Sequence, residues 1–235
     1  MVVKLFHKFR SSPQKNGARV RNDGVRNTIL FIKSNLLYPV IRYQHRWIWE
    51  ISLEPWQTPG NWSRGERFFV LGPENFEQSF TPRLRSFLGG DSVRDEIEGV
   101  RNGDRLFVVV AKEEFLACSY IFFDTREETR RQVHILGEVP NTPIIGLSYT
   151  LPAARGRGLY RDILIEMFRW LKERGYKRVV CEVHPRNTPS NRASATAGMN
   201  LCRELRDWTI FSSLVVQQVK GAGRSYWRMI WIRGR

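Results

Sequence analysis

Between an apolar run that ends at Leu151 and an amphipathic stretch that begins at Leu159, the chain reads Pro152-Ala153-Ala154-Arg155-Gly156-Arg157-Gly158. The run from Ile144 to Leu151 is rich in β-branched and aromatic residues and predicts a strand. On the other side, Leu159, Ile163, Leu164, Met167, Phe168 and Leu171 recur at helical spacing, which predicts a helix over Leu159 to Glu173 with one buried stripe, ended by Gly175. The segment between them is therefore a basic, glycine-containing strand-to-helix turn. Glycines let a backbone approach a ligand closely, the first-turn amides of a helix lack intrahelical acceptors, and the helix dipole adds positive potential. Such a turn suits a phosphate or pyrophosphate, and Arg155 and Arg157 strengthen the field. By itself the pattern is also that of an ordinary tight connection. It has neither the Lys-Ser/Thr pair of a Walker loop nor the third glycine of a dinucleotide fold.

The surrounding patterns alternate between sheet and helix. Trp47, Trp49, Ile51 and Leu53 fall on alternate positions and share one face of a strand; Arg67 to Gly72 predicts a second. Pro73 to Phe87 and Ser92 to Val100 read as two helices ending near Gly89-Gly90 and Gly103, with Asp91 or Ser92 able to cap the second. Leu106 to Ala111 and Phe115 to Phe123 read as strands joined at a Glu113-Glu114 tip, and Thr125 to Pro140 as a polar loop. After the main helix come a strand at Val179 to Val183, a short helix at Ser190 to Thr196, and closing strands at Trp208 to Val216 and Tyr226 to Ile232. Residues 1–28 show little apolar periodicity and read as a loosely packed arm.

The net charge of +15 is concentrated at the ends. Residues 1–50 hold ten Lys or Arg against two acids and residues 200–235 hold seven against two, whereas the 21 cations of residues 51–199 meet 19 acids. A nearly neutral core with basic ends fits a polyanionic partner such as RNA, an acidic carrier protein or an anionic membrane face, and serves solubility equally well. Trp47, Trp49, Trp56 and Trp62 interleave with Arg42, Arg46 and Arg64, a mixture able to stack on bases, although aromatics at period two more often pack a sheet. The apolar stretch Ile29 to Ile41 is interrupted by Lys33 and is shorter than the ~20 residues of a membrane-spanning helix. The first residues carry no apolar core or small-residue cleavage site of a signal peptide, and Cys118, Cys181 and Cys202 form neither a disulfide framework nor a metal-ligand spacing. The expectation is a cytoplasmic protein without a bound metal, its basic ends compatible with peripheral attachment to a membrane, and with oligomerisation left open.

The order of these features resembles the GCN5-related N-acetyltransferase (GNAT) superfamily over about residues 67–235. In that family an Arg or Gln, two variable residues, Gly, one variable residue, and Gly or Ala follow the fourth strand. Here Arg155 and Gly158 match, Gly156 and Arg157 are the variable pair, and Tyr160 replaces the final small residue. Pro152 stands where the family often has proline, Asn187 follows the next strand, Ser190 takes the small-residue position, and Gly198-Met199 falls where Gly-Phe is common. The resemblance implies an α/β domain at 65–235 with a mixed central sheet flanked by helices. The N-terminal extension, 1–64, would be a basic, aromatic-rich arm with an extra strand at the sheet's edge or a cover over the acceptor cleft. It further implies acyl transfer from acetyl-coenzyme A or another acyl-coenzyme A to an amine acceptor of unknown class. Tyr149, Thr150 and Leu151 would lie at the thioester, and Arg155, Gly156, Arg157, Gly158, Leu159, Tyr160, Asn187 and Ser190 would bind the coenzyme.

The family often protonates its leaving thiolate with a tyrosine seven residues after the asparagine, a position held here by Ser194; Tyr149 or Tyr160 can compensate, or the thiolate leaves without a donor. Glu182 and His184 alternate along one face of their strand and are the candidates for general base. Cys181 faces the other way, as a core thiol. The rival reading is a non-catalytic binding or regulatory protein of the same fold that works through its basic ends.

Overall fold

A computed structural model of the chain describes residues 41–57, 65–79, 82–89, 94–123, 136–138, 141–211 and 214–231. The arm at 1–28, most of the 125–140 loop, Trp62 and Arg64 lie outside the described residues. Nine strands occur among those described: β1 (Ile41–Ser52), β2 (Arg67–Leu71), β3 (Arg105–Ala111), β4 (Glu114–Phe122), β5 (Ile144–Thr150), β6 (Arg178–Val183), β7 (Asn200–Ile210), β8 (Leu214–Gly221) and β9 (Arg224–Trp231). The helices are α1 (Phe76–Ser79), α2 (Pro82–Phe87), α3 (Arg94–Arg101), α4 (Leu159–Glu173) and α5 (Thr188–Thr196), with a 3-10 turn at Pro152–Ala154. The sheet order is β2-β3-β4-β5-β6-β1-β7-β8-β9. No helix among the described residues is long and apolar enough to cross a membrane.

Packing divides the chain into two units. The larger, His45–Arg206 with Gln218–Trp227, contains the five described helices and part of each described strand. The smaller comprises Met1–Gln44, Asp207–Gln217 and Arg228–Arg235. Within it, Gln217 donates from Nε2 to buried Asp207 at 2.6 Å and accepts from Arg228, while the Tyr43 and Trp208 rings lie 5.3 Å apart.

The core of the larger unit follows from strand alternation and one helical stripe. In β3, Leu106 to Val110 are buried on both faces, as a β-branched run with no polar alternation requires. Phe107 and Val109 face α4, whose Leu159, Ile163, Leu164, Met167, Phe168 and Leu171 form the predicted stripe; Leu106 and Val108 face Phe76, Leu84 and Val100 of α1 to α3. Each of these large apolar side chains contributes roughly 1.5–3 kcal/mol on burial.

β1 departs from expectation. It pairs antiparallel with β6, Trp47 opposite Val183 and Ile51 opposite Val179, and lies inside the sheet between β6 and β7 instead of at its edge. Its face of alternating Trp47, Trp49, Ile51 and Leu53 packs against the core, burial that an interior strand with a neighbour on each side obtains more fully than an edge strand. Trp47, Trp49 and Trp56 accordingly pack against the core: Trp49 is buried and donates from Nε1 to Asn191 Oδ1 at 2.9 Å, and the Trp56 ring stands edge-on to Phe168 at 5.7 Å. The run Trp208 to Val216, read as one strand, spans the end of β7 and the start of β8, with Phe211 in the left-handed region at φ 48°. The polar pair Ser212-Ser213, read through as part of one strand, interrupts the apolar run there.

Candidate active site

The parallel pairing of β5 with β6 stops after Ile144↔Val180 and Ile145↔Cys181. On the opposite edge of β5, Tyr120 pairs with Gly146 and Cys118 with Tyr149, so β5 advances three residues while β4 advances two. The extra residue is a β-bulge, marked by Leu147 at φ 47°, a conformation uncommon for a residue with a Cβ and associated with local strain. The bulge turns β5 aside and opens a wedge between it and β6. Tyr149 and Thr150 belong to the β5 wall. Leu151 does not offer its amide there, because that N–H donates to the Leu116 carbonyl at 2.9 Å.

The chain then enters α4 through the predicted turn. Gly156 and Gly158 have φ of 76° and 77°, the left-handed region that a Cβ disfavours. The Arg155 amide closes on the Pro152 carbonyl, whereas the amides of Gly156, Arg157, Gly158, Leu159, Tyr160 and Arg161 have no backbone acceptor among the described residues. No atom lies within 4 Å of where a Gly156 Cβ would stand, so the turn is open to a ligand. Open amides, open space and a 15-residue helix behind them fit a pyrophosphate. The arginines are more committed than sequence implied: Arg155 donates from Nε to the Thr150 carbonyl at 3.2 Å, and Arg157 forms an ion pair with Glu66. Leu159 is a core side chain.

This gives an expected result. Gly156→Val should weaken coenzyme A about tenfold or more by titration calorimetry, since a β-branched residue in the left-handed region costs at least ~1–2 kcal/mol and the turn would relax away from it. Gly156→Asn, which tolerates that region, should bind nearly as the parent does. Equal affinities for Val and Asn would show that the turn's conformation does not set coenzyme binding.

Tyr160 occupies the vertex of the wedge. Its hydroxyl lies 3.7 Å from Cys181 Sγ, on the last β6 residue paired with β5. Burial, with the neighbouring Cys181 adding to it against a hydrogen bond from Ser148, pushes the phenol well above its ordinary value, so it is a neutral donor at every working pH. Ser148 is in turn 2.7 Å from Ser119, oxygen to oxygen. Burial also pushes the Cys181 thiol up to about 12, which makes it an inert core group, as read from its parity. Ser194 is fully buried, and its hydroxyl has no nitrogen or oxygen partner.

Asn187 and Ser190 are brought together, but on each other: the Asn187 side chain caps α5 by accepting the Ser190 amide at 3.3 Å. Tyr149 packs its ring 5.5 Å from Phe87 on the α1–α3 side. Glu182 and His184 line the β6 wall, with different commitments from those expected. Glu182 accepts from Arg46 at 2.9 Å, with 15% and 6% of the two side chains exposed. His184 Nδ1 accepts the Arg186 amide at 3.1 Å, which leaves the proton of the neutral ring on Nε2.

Sequence reasoning missed His45, because it falls in the extension ahead of the recognisable domain. β1 carries it to the end of β6, where its ring meets that of His184 at 6.4 Å. Its Nε2 donates to Glu204 at 2.9 Å, and Glu204 also accepts from Arg206 at 2.7 Å. Burial pushes the Glu204 carboxyl upward, but the hydrogen bonds from Arg206 and His45 outweigh it and hold the group below the usual carboxylate range. An ionised Glu204 fixes the tautomer, leaving His45 Nδ1 as an acceptor. Sequence offered no signal for this pair, 159 residues apart.

A family model described as an acetyltransferase (GNAT) domain matches residues 82–200. No curated protein matches the chain. Among solved structures, a Drosophila protein is similar at 15% identity over 85% of this chain and 58% of its own, TM-score 0.47, and a GNAT-family acetyltransferase from Colwellia psychrerythraea at 14% over 80% and 60%, TM-score 0.48. A Clostridium acetobutylicum protein solved with acetyl-CoA, described as a predicted acetyltransferase, matches at 15% over 57% of this chain and 90% of its own, TM-score 0.39. The chain thus spans about three fifths of the first two. By the match that covers half its length, and with the motif turn between strand and helix where that family has it, the chain belongs to the GNAT acetyltransferase family.

Proposed function

We propose that the protein moves an acetyl or longer acyl group from an acyl-coenzyme A directly to an amine. The observation that carries this reading is the wedge between β5 and β6, followed at once by a two-glycine turn with open amides. The coenzyme, when bound, supplies the activated thioester. The amides of 156–161 would hold its pyrophosphate, and the backbone of Tyr149 and Thr150 on the unpaired edge of β5 would face the charge that develops on the acyl oxygen.

An amine with an ordinary pKa of about 10 is mostly protonated at pH 7, so a proton acceptor is required. His45, oriented by Glu204, fills that role better than Glu182, which is held by Arg46, or His184, whose Nδ1 is occupied. Tyr160, in place of the family tyrosine, donates a hydrogen bond from its neutral hydroxyl to the leaving sulfur, which departs as a thiolate of ordinary pKa about 8.5 and takes its proton from solvent, since Ser194 is buried out of reach. The basic residues concentrated in 1–50 and 200–235 favour an acceptor or partner that is itself polyanionic.

The test is thiol release from acetyl-coenzyme A and a longer acyl-coenzyme A across amino sugars, polyamines, peptide amines and aminoacyl-tRNA. At least one amine should release thiol, and Tyr160→Phe should slow that reaction roughly tenfold at unchanged coenzyme affinity. Coenzyme binding without thiol release from any amine would favour the non-catalytic reading instead.

A further inference from the structure

A second concave site lies on the α1–α3 side of the sheet. The edge strand β2, the neighbouring β3, the start of β4 and α2 enclose an open cleft of about 570 Å³. That is within the ~300–1,000 Å³ of small-molecule sites. Its walls are apolar: Phe69, Leu71, Val108, Val110 and Phe115, with Pro82 opposite. The cross-strand register puts Phe69 beside Val108 and Val110 beside Phe115, so these side chains form one continuous floor. Phe69 remains 39% exposed, an aromatic left uncovered at the mouth.

The rim decides what an occupant must carry. Arg83 and Glu113 pair with each other at 3.1 Å, and both are exposed. Arg67 has no carboxylate partner among the described residues; its guanidinium stacks over Phe69, 5.8 Å from the ring centroid. Among the described residues, then, the cleft has an apolar floor and at its entrance a cation, Arg67, with no carboxylate set against it. A neutral apolar ligand would leave that cation unused, and an amine would be repelled by it.

We propose that this cleft binds an apolar carboxylate, its hydrocarbon or aryl body along the Phe69–Val108–Val110–Phe115 floor and its carboxylate on Arg67. The cleft shares no lining residue with the wedge, and the proposal does not depend on the acyl-transfer reading. Such a ligand is small, amphipathic and singly anionic, with a body that fills the floor.

Titration calorimetry on the full chain with hexanoate, octanoate, decanoate and octylamine tests this. Affinity should rise about three- to fourfold for each methylene buried, until the floor is covered. Octylamine should bind at least tenfold more weakly than octanoate. Arg67→Gln should weaken octanoate roughly tenfold, the scale of a lost charge-assisted contact. Phe69→Glu should abolish binding by placing a like charge at the mouth. Both positions are exposed on an edge strand, so the melting transition and coenzyme A affinity of both variants should match the parent's, separating this site from the wedge. Absence of binding by every carboxylate, equal binding of octylamine, or unchanged octanoate affinity in both variants overturns the proposal.

Discussion

Replacing Arg46 by Ala should destabilise the protein by about 3–5 kcal/mol, read from urea unfolding with the slope unchanged. The pair it forms with Glu182 is largely shielded from water, so removing the guanidinium leaves a carboxylate buried against the loss of its counter-charge. Removing both charges is a different operation. Arg46→Met combined with Glu182→Met should recover most of the loss, because a buried ion pair replaced by apolar side chains is often neutral. A loss below about 1 kcal/mol in the single variant would show that water or another group compensates Glu182, and that β1 is held by its apolar face alone.

The second large effect is on the chemistry. If His45 takes the proton from the amine, His45→Gln should lower the thiol-release rate by about 10²–10⁴-fold with coenzyme A affinity unchanged. Glu182→Gln, assayed where it remains folded, should stay within a few-fold of the parent. The reverse pattern would return the base role to Glu182. Glu204→Gln adds a finer comparison: the amide no longer fixes the His45 tautomer, so its rate should fall between the other two.

What was legible in the sequence was local. The stripe of α4, the two-glycine turn, the strands at 144–151 and 179–183 and the parity that buries Cys181 all follow from spacings of a few residues, and these are the features that place the wedge. What was not legible depends on partners far apart in the chain. Nothing near Glu182 announces Arg46, and nothing near His45 announces Glu204, because each pair is made by strands brought side by side only when the sheet is complete. The same cause explains the arginines of the turn: Arg157 reads as a phosphate ligand until Glu66 is seen beside it. Tyr160 reads as a defect in the motif and proves to be the group at the vertex.

The interior position of β1 also sets a schedule for synthesis. Its partners on β6 follow it by 126 to 136 residues, from Ser52↔Arg178 to Trp47↔Val183. At roughly 5–20 residues per second, a ribosome needs on the order of 10 s to produce them. Throughout that interval a strand bearing Trp47, Trp49 and Ile51 has emerged with nothing to pair with, and contacts of such sequence separation form slowly even afterwards. The nascent chain therefore presents an unpaired aromatic strand, a natural binding target for chaperones that recognise extended apolar segments. Expression yield should accordingly respond to chaperone supply more strongly than the finished protein's stability would imply.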